Sequence, residues 1–337
     1  MRGYRVAGLL CAIVLLSAAV GTEGSLGSGT AWKLKRSDAY MANPLGDWQL
    51  FRAANTPAAA DAAGFRAHGL RHDAELMERI ASQPIATWLT DDATHVLRAV
   101  TALTTDAGRR GAAPVIVAYG IPGRNCNEDV AASEGEYMRW IAELAGGIGP
   151  RRAIVILEPD AIPFAIAGCP IHIRLLRRAV EMLARAAGAR VYIDAGNPSW
   201  VTPASLLVAP LREADIAQAA GFSLNVANFQ TNAANIAYGH ELSRLLGGAH
   251  FVIDTSRNGN GPETEPAQAP VVCNPPGRAL GTPPTTNTNV PGLDAYLWVK
   301  PPASSYGSCR PGAPASGDWW PQYALELAAN APPLTPR

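Results

Sequence analysis

The chain has no excess of charge of either sign, because its 337 residues include 28 Lys and Arg and 28 Asp and Glu. It also lacks a long run of Lys and Arg, which is the usual electrostatic signature of a protein that binds a phosphate backbone. The sequence therefore gives no indication of a nucleic-acid partner, and it fits a neutral ligand better. Nothing in it indicates a protein partner either, and we expect a monomer.

Closely spaced metal ligands are also missing. The five cysteines lie far apart, without the Cys-x-x-Cys spacing of a zinc or redox site, and the six histidines form no His-Glu-x-x-His pattern. We therefore predict neither a metal site nor a cofactor.

An apolar run at the N-terminus has the layout of a secretory signal. Arg2 and Arg5 precede an apolar stretch from Val6 to about Gly21, and small and polar residues follow it. The run is slightly short for a spanning helix of roughly 20 residues. We predict that residues 1–31 are a signal peptide or an uncleaved membrane anchor. Residues 32–337 would then form a domain that is secreted or held on the outer face of the membrane.

The cysteine count supports an exported domain. Cys11 lies inside the predicted signal, and the other four are an even number in an exported chain. Such a set predicts two disulfides, for which three connectivities are possible. The four residues are Cys126, Cys169, Cys273 and Cys309.

Apolar runs of strand length alternate with helix-patterned segments from about residue 78 onward. One such segment, 172–188, has apolar residues at intervals of three and four and ends at Gly188, a candidate helix stop. The apolar runs lack polar alternation, which indicates burial on both faces of a parallel sheet. We predict one main domain, an α/β barrel or a doubly wound sheet. The strand candidates are 85–89, 114–120, 153–159, 190–196, 221–226, 250–256 and 295–300.

The segment 257–293 is rich in Pro, Gly, Asn and Thr and is too long for an ordinary connection. It is either a disordered insertion or a functional wall of the domain. Cys273 favours the wall, because a disulfide to a distant segment would hold it in place.

Polar and aromatic residues follow the predicted strands, at the edge where ligands bind in parallel α/β folds. Aromatic rings and short polar groups on one rim suit a sugar. Several of these residues also have a structural interpretation: Trp88 as core, Asp194 and Asp254 as helix caps or ligands of loop backbone, Asp160 as a helix N-cap and Lys300 as a solvated charge. The set comprises Trp88, Tyr119, Arg124, Glu158, Asp160, Asp194, Asn225, Asn228, Asp254, Arg257, Trp298 and Lys300.

Taken together, eight ordered segments resemble glycoside hydrolase family 6, the inverting endoglucanases and cellobiohydrolases that cut β-1,4-glucan. They are ATWL (86–89), VAYGIPGRNC (117–126), VILEPDAI (155–162), YIDAGNPSW (192–200), FSLNVANF (222–229), FVIDTSRNGNG (251–261), CNPPGRALG (273–281) and LDAYLWVKPP (293–302).

The resemblance implies a distorted α/β barrel with a substrate cleft or tunnel, in a catalytic domain that extends over 32–337. It also implies that Cys126 pairs with Cys169 and Cys273 with Cys309. On this basis we predict that the ligand is a β-glucan polysaccharide or oligosaccharide. The predicted binding residues are Trp88, Tyr119, Arg124, Asp194, Trp200, Asn228, Trp298, Lys300 and Ser304.

By the same resemblance Asp160 occupies the position of the general acid, which must hold a proton near neutral pH. The family raises the pKa of this acid with a second carboxylate, in an Arg-Asp-Cys motif. Here the motif reads Arg124-Asn125-Cys126. Asn125 can donate a hydrogen bond, but it cannot raise the pKa of Asp160 by charge repulsion.

A second departure affects the position of the presumed base. Family members typically follow the Lys-Pro segment with Glu-x-Asp-Gly, whereas this chain has Ser304 in place of the Glu and Tyr306 in place of the Asp. Two smaller changes are Val272, where many members have Trp, and Asn197, where they have His.

Two functions follow from these changes. The chain is either a weak inverting glucanase that keeps Asp160 as its acid, or a secreted saccharide-binding protein on the same scaffold. In the first case, the water would be positioned either by a backbone carbonyl or by a relocated carboxylate of the shortened loop after Cys126. The candidates are Glu128, Asp129, Glu134 and Glu136.

Overall fold

The computed structural model describes residues 42–90, 95–124, 126, 133–263 and 273–332. The predicted signal or anchor at 1–31 lies outside these ranges, as do Asn125, Glu128 and Asp129. In the part of the chain that is described, no helix is long and apolar enough to cross a membrane.

The apolar runs form strands in the predicted places. In chain order the strands are β1 (Gln49–Leu50), β2 (Thr87–Thr90), β3 (Ala112–Ala113), β4 (Val115–Tyr119), β5 (Ala153–Leu157), β6 (Ala189–Asp194), β7 (Gly221–Leu224), β8 (His250–Asp254) and β9 (Leu293–Leu297). Seven of them pair in parallel in the order β2-β4-β5-β6-β7-β8-β9, and β1 pairs with β3 separately. Each of the seven overlaps one predicted run, so the predicted parallel sheet is confirmed.

The sheet curls until its outer strands approach each other. Beyond β2 and β9, the Ala86 N–H donates to the Trp298 carbonyl oxygen at 3.0 Å. The Trp88 indole N–H likewise donates to the Val299 carbonyl oxygen at 2.8 Å. The result is a distorted α/β barrel, as expected from the resemblance.

Helices cover the outer face of the sheet. The helices are α1 (Pro57–Ala67), α2 (Arg71–Ala81), α3 (Val96–Arg109), α4 (Glu134–Ile148), α5 (Ala161–Ile166), α6 (Ile173–Ala184), α7 (Val208–Glu213), α8 (Asn232–Leu245) and α9 (Pro321–Asn330).

Alternate residues of each central strand belong to different cores. In β5, Val155 and Leu157 pack with the apolar faces of α3, α4, α6 and α8. Ile154 and Ile156 instead pack inside the curled sheet, with Tyr192 among others. Burial on both faces explains why the strands are continuously apolar.

Helix α6 is shorter than predicted. It ends at Ala184, with Arg185 as its C-cap, so Gly188 is not the residue that stops it. A Cβ at Gly188 would lie 1.9 Å from the carbonyl oxygen of Arg151. This glycine is therefore required by a close approach of two backbones where β6 begins.

The described parts of the segment 257–293 are held to the domain. Asn258 forms a bridge with Ala279, and Thr285 pairs in antiparallel orientation with Tyr296 of β9. A disulfide joins Cys273 to Cys309, and a second joins Cys126 to Cys169. Both predicted pairings are confirmed, and these contacts support the interpretation of the segment as a wall.

Candidate active site

The candidate site lies beyond the carboxyl ends of the strands, where the loops after β4 to β9 meet. Its acid side, named here for three carboxyl groups, consists of Glu158, Asp160 and Asp194. Its cationic side consists of Arg257, Lys300 and Tyr306. The sequence places these residues after β5, β6, β8 and β9, and parallel pairing brings them to one edge.

Asp160 stands in a strained turn. Glu158 and Asp160 have φ angles of 49° and 72°, in the left-handed region that few residues other than glycine adopt. Asp160 occupies the N-cap position of α5, yet its side chain makes no capping hydrogen bond. The side chain is thus not used as a helix cap, and this removes the structural interpretation of Asp160.

Asp194 is buried beside Asp160 and is held by three donors. Its Oδ2 accepts hydrogen bonds from the backbone N–H of Asp160 at 2.9 Å and of Gly196 at 3.1 Å. Its Oδ1 accepts from the Ser223 hydroxyl at 3.1 Å. All three bonds favour the charged form of Asp194.

Burial raises the pKa of both aspartates, and the charge of Asp160 further raises that of Asp194. For Asp160, burial raises the pKa, and the charge of Lys300 lowers it in part. For Asp194, burial and then the charge of Asp160 raise the pKa, whereas its three hydrogen bonds lower it. Two carboxyl groups this close oppose each other's ionisation, so the pair titrates as a unit.

Glu158 is a buried carboxyl group to which the sequence assigned no role. It accepts hydrogen bonds from the backbone N–H of Gly120 at 2.9 Å and of Ile121 at 3.0 Å. Burial raises its pKa to about 7 despite these bonds. Its position directly after a strand and before Pro159 was the only sequence signal for it.

Arg257 is fully buried on the cationic side. Its guanidinium lies 4.7 Å from the centre of the Phe229 ring and 5.0 Å from that of Tyr306, and it donates to the Ala227 carbonyl oxygen. Nε and Nη1 have no hydrogen-bond partner within the described ranges. A buried guanidinium with unpaired nitrogens raises the free energy of the folded protein, because the ring faces replace only part of its hydration.

Lys300 is the second cation. Its Nζ lies 4.8 Å from the centre of the Tyr306 ring and 5.4 Å from that of Trp88. Burial, followed by the charge of Arg257, lowers the pKa of Lys300 to about 8. Within the described ranges, no carboxylate lies within 4.0 Å of either cation.

Asp254, which lies just before Arg257 in the chain, binds backbone N–H groups rather than either cation. Its carboxylate accepts from the N–H groups of Ala227, Ser256, Val299 and Lys300 at 2.8–3.2 Å. This residue therefore fixes the loops, in agreement with its structural interpretation.

Tyr306 cannot act as a base near neutral pH. Its hydroxyl donates to the Ala227 carbonyl oxygen at 2.8 Å, and burial raises its pKa to about 12. Ser304 is 8% exposed and donates to the Gly317 carbonyl oxygen at 3.1 Å. We therefore no longer propose that Ser304 binds the substrate, because its hydroxyl is used inside the fold.

Aromatic rings flank the site. Trp88 and Tyr119 meet edge to face at 5.5 Å, and the Arg124 guanidinium lies 5.1 Å from the Tyr119 ring centre. Trp200 is 39% exposed and packs edge to face against Phe164. Exposed and half-buried rings of this kind can stack on sugar faces.

Asn228 is half-buried in the loop after β7. Its Oδ1 accepts from the Phe229 backbone N–H at 2.8 Å, which leaves its amide nitrogen available to a ligand. Asn197, in contrast, is buried, and its Oδ1 accepts from the backbone and hydroxyl of Ser199.

Trp298 does not reach the site. It is 2% exposed, packs with α1, α2 and α9, and donates its indole N–H to the Thr282 carbonyl oxygen at 3.0 Å. Its sequence position just after β9 suggested a ligand contact, but the chain turns it outward into a separate core. We no longer propose it as a binding residue.

The described acidic residues of the shortened loop are engaged elsewhere. Glu134 pairs with Arg174, and Glu136 forms a capping box with Ser133 at the start of α4. Neither therefore replaces a missing site carboxylate. In the described part of the chain, no three His, Cys, Asp or Glu side chains converge closely enough to hold a metal ion.

Comparison with known proteins agrees with this architecture. Residues 47–331 match the model of the glycosyl hydrolases of family 6. The chain is 44% identical to endoglucanase A of Cellulomonas fimi over 265 residues, a match that covers 77% of this chain and 57% of that protein. It is 38% identical to endoglucanase 1 of Streptomyces halstedii, with 74% of this chain and 79% of that protein covered.

Among solved structures, the endoglucanase Cel6 of Mycobacterium tuberculosis, in complex with a thio-linked cellobiosyl cellobioside, is similar with a TM-score of 0.79. The two chains are 38% identical, and the match covers 86% of this chain and 99% of the other. The chain spans less than two thirds of the length of endoglucanase A from Cellulomonas fimi and from Thermobispora bispora. The matched range and these identities show that the chain belongs to family 6 of the glycosyl hydrolases.

Proposed function

We propose that the chain hydrolyses β-1,4-linked glucan slowly, by an inverting mechanism in which Asp160 is the general acid. The observation that carries this proposal is the contact between Asp194 Oδ2 and the backbone N–H of Asp160 at 2.9 Å. It holds a second carboxyl group beside the acid, in a site from which the family's own tuning carboxylate is absent. The relatives described as endoglucanases support the choice of substrate.

In this mechanism, Asp194 carries the negative charge and Asp160 carries the proton. Three hydrogen bonds stabilise Asp194 as a carboxylate, whereas the Asp160 side chain makes no capping bond. Repulsion from Asp194 then keeps Asp160 protonated at a higher pH than an isolated aspartic acid. Asp160 donates this proton to the glycosidic oxygen as the bond to the sugar breaks.

Among the described residues, no side chain is placed to act as a base for the water that attacks the sugar. Tyr306 stays protonated, and the Asp254 carboxylate is engaged by four backbone N–H groups. No described side chain then acts as a base for the water, and we expect the rate to be lowered by the contribution of one general base, roughly 10²–10⁴-fold.

The second candidate is a saccharide-binding protein without useful turnover. The replacement of the base by Tyr306 and the exposed ring of Trp200 favour it, because they leave a surface for a sugar and remove a catalytic group. In both cases, the layout of residues 1–31 supports action outside the cell, either in solution or at the membrane surface.

Reducing-sugar release from soluble β-1,4-glucan and from mixed-linkage glucan separates the two candidates. The wild type is compared with Asp160→Asn, and binding of the same glucans is followed in parallel. Asn is a suitable replacement because it tolerates the left-handed backbone at φ 72° and removes only the proton donor. We expect Asp160→Asn to release sugar about 10²–10⁴-fold more slowly and to bind glucan as before.

Equal release by both proteins would show that Asp160 is not the acid. Binding without release in either protein would instead identify a saccharide-binding protein.

A further inference from the structure

The cationic side holds two charges that have no carboxylate within 4.0 Å in the described part of the chain. Arg257 is fully buried with two unpaired nitrogens, and the Lys300 Nζ makes no hydrogen bond or ion pair within the described ranges. Both lie within about 5 Å of the Tyr306 ring centre, at 5.0 and 4.8 Å. Burial lowers the pKa of Lys300, and repulsion from the adjacent charge of Arg257 lowers it further.

The neighbouring groups offset this charge only in part, since the charges of Asp254 and Asp160 raise the pKa of Lys300 less than burial and Arg257 lower it. The Asp254 carboxylate is engaged by the backbone, and the Tyr306 hydroxyl is bonded to the Ala227 carbonyl oxygen. A guanidinium remains charged at every relevant pH, so the protein cannot relieve the cost by deprotonating Arg257. An anion that binds beside Lys300 would relieve it.

We propose that the cationic side binds a carboxylate that the ligand carries, and that the preferred ligand is an acidic β-glucan containing a glucuronosyl unit. Lys300, which is partly exposed, contacts the carboxylate, and Arg257 adds its charge from behind the Tyr306 ring. The aromatic rings of Trp88 and Tyr119 on the same flank hold the sugar to which the carboxylate is attached. This inference takes one premise from the proposed function, namely that the ligand is a glucan.

The test compares the affinity of the full chain for cellotetraose with its affinity for cellotetraose that carries one C6-oxidised, glucuronosyl unit, by calorimetry. We expect the acidic ligand to bind about tenfold more tightly, which corresponds to about 1.4 kcal/mol. Added salt should reduce this preference, because part of the site is open to solvent. The measurement with added salt uses the wild-type protein, so it does not depend on whether any variant folds.

Variants at two positions locate the preference. Lys300→Met should bring the ratio of the two affinities close to one. Tyr306→Asp should do the same, because it places a carboxylate of the protein beside both cations. Tyr306→Asn is the matched control for Tyr306→Asp, because Asn has the size of Asp but carries no charge. This variant should keep the preference for the acidic ligand.

Equal affinities in the wild type, or a preference that survives both Lys300→Met and Tyr306→Asp, would overturn the inference. Free acetate and glucuronate are titrated as well, and saturation of the site by acetate with no gain from the acidic tetrasaccharide would overturn the assignment to a glycan. Hydrolysis of neutral glucan is measured separately. A binding preference without hydrolysis would contradict the proposed enzyme and support this inference.

Discussion

The acid side and the cationic side of the site lie on one edge of one sheet but differ in how their charges are satisfied. On the acid side, the carboxylates of Glu158 and Asp194 accept hydrogen bonds from backbone N–H groups, and Asp160 remains available. On the cationic side, Arg257 and Lys300 have no carboxylate within reach in the described part of the chain. The two sides therefore differ in whether the described chain supplies a partner for each charge.

The difference shows that family membership does not determine the chemistry of a site. An inverting glycosidase requires two carboxyl groups on opposite sides of the sugar, one as acid and one as base. Here the protein provides a carboxyl pair on one side and a pair of cations on the other.

The largest effect is expected from restoring a base. The double substitution Asn125→Asp and Tyr306→Asp should raise the rate of sugar release from soluble β-1,4-glucan by about 10²-fold or more, because it supplies a carboxylate to assist water. Asn125→Asp alone should give only a small part of this gain, since Tyr306 still occupies the position of the base. A full gain from Asn125→Asp alone would show that the base was never missing.

A smaller effect is expected on the acid side. Asp194→Asn removes the negative charge beside Asp160 and so lowers the pKa of Asp160. Activity requires protonated Asp160, so the alkaline limb of the kcat/KM profile should move to lower pH, by about one unit. The profile is measured on soluble glucan across the neutral range.

The control for this substitution is Ser223→Ala. It removes one hydrogen bond from Asp194 at 3.1 Å and leaves the charge in place, so the alkaline limb should stay near that of the wild type. An unchanged limb in Asp194→Asn would mean that the charge of Asp194 does not tune the acid.

The smallest effect concerns the aromatic surface next to the acid side. Trp200→Ala should weaken glucan binding about threefold to tenfold, because the ring is 39% exposed and contributes by stacking. Leu97→Ala, on the outer helix α3, removes a side chain that is 48% exposed and should leave binding unchanged. Equal binding by Trp200→Ala and the wild type would exclude Trp200 from the ligand surface.

Much of the fold could be predicted from the sequence. A buried parallel strand is apolar on both faces, so each of the seven strands was visible as a continuous run. The order of eight motifs identified the barrel, and with it both disulfide pairs. Helix α6 was visible from its spacing, but its end was not, because Gly188 serves a backbone contact with Arg151 rather than a helix cap.

The candidate site was predicted less completely, because a sequence position after a strand does not give the direction of a side chain. Trp298 and Lys300 both follow β9, yet Trp298 turns into the core of α1, α2 and α9 and Lys300 lies beside Tyr306. The direction of Ser304 was likewise hidden in the sequence, since its hydroxyl donates to the Gly317 carbonyl oxygen inside the fold.

Residue type and order were enough to predict the family, the parallel sheet and the positions where Asn125, Ser304 and Tyr306 depart from the family pattern. The pairing of the remaining charges depends on contacts between residues far apart in the chain, so it became known from the folded structure. The fold places Asp194 against the backbone of Asp160, 34 residues earlier, and buries Arg257 against Tyr306 with no described carboxylate within 4.0 Å. Charge compensation depends on distance and burial, and these are properties of the folded chain.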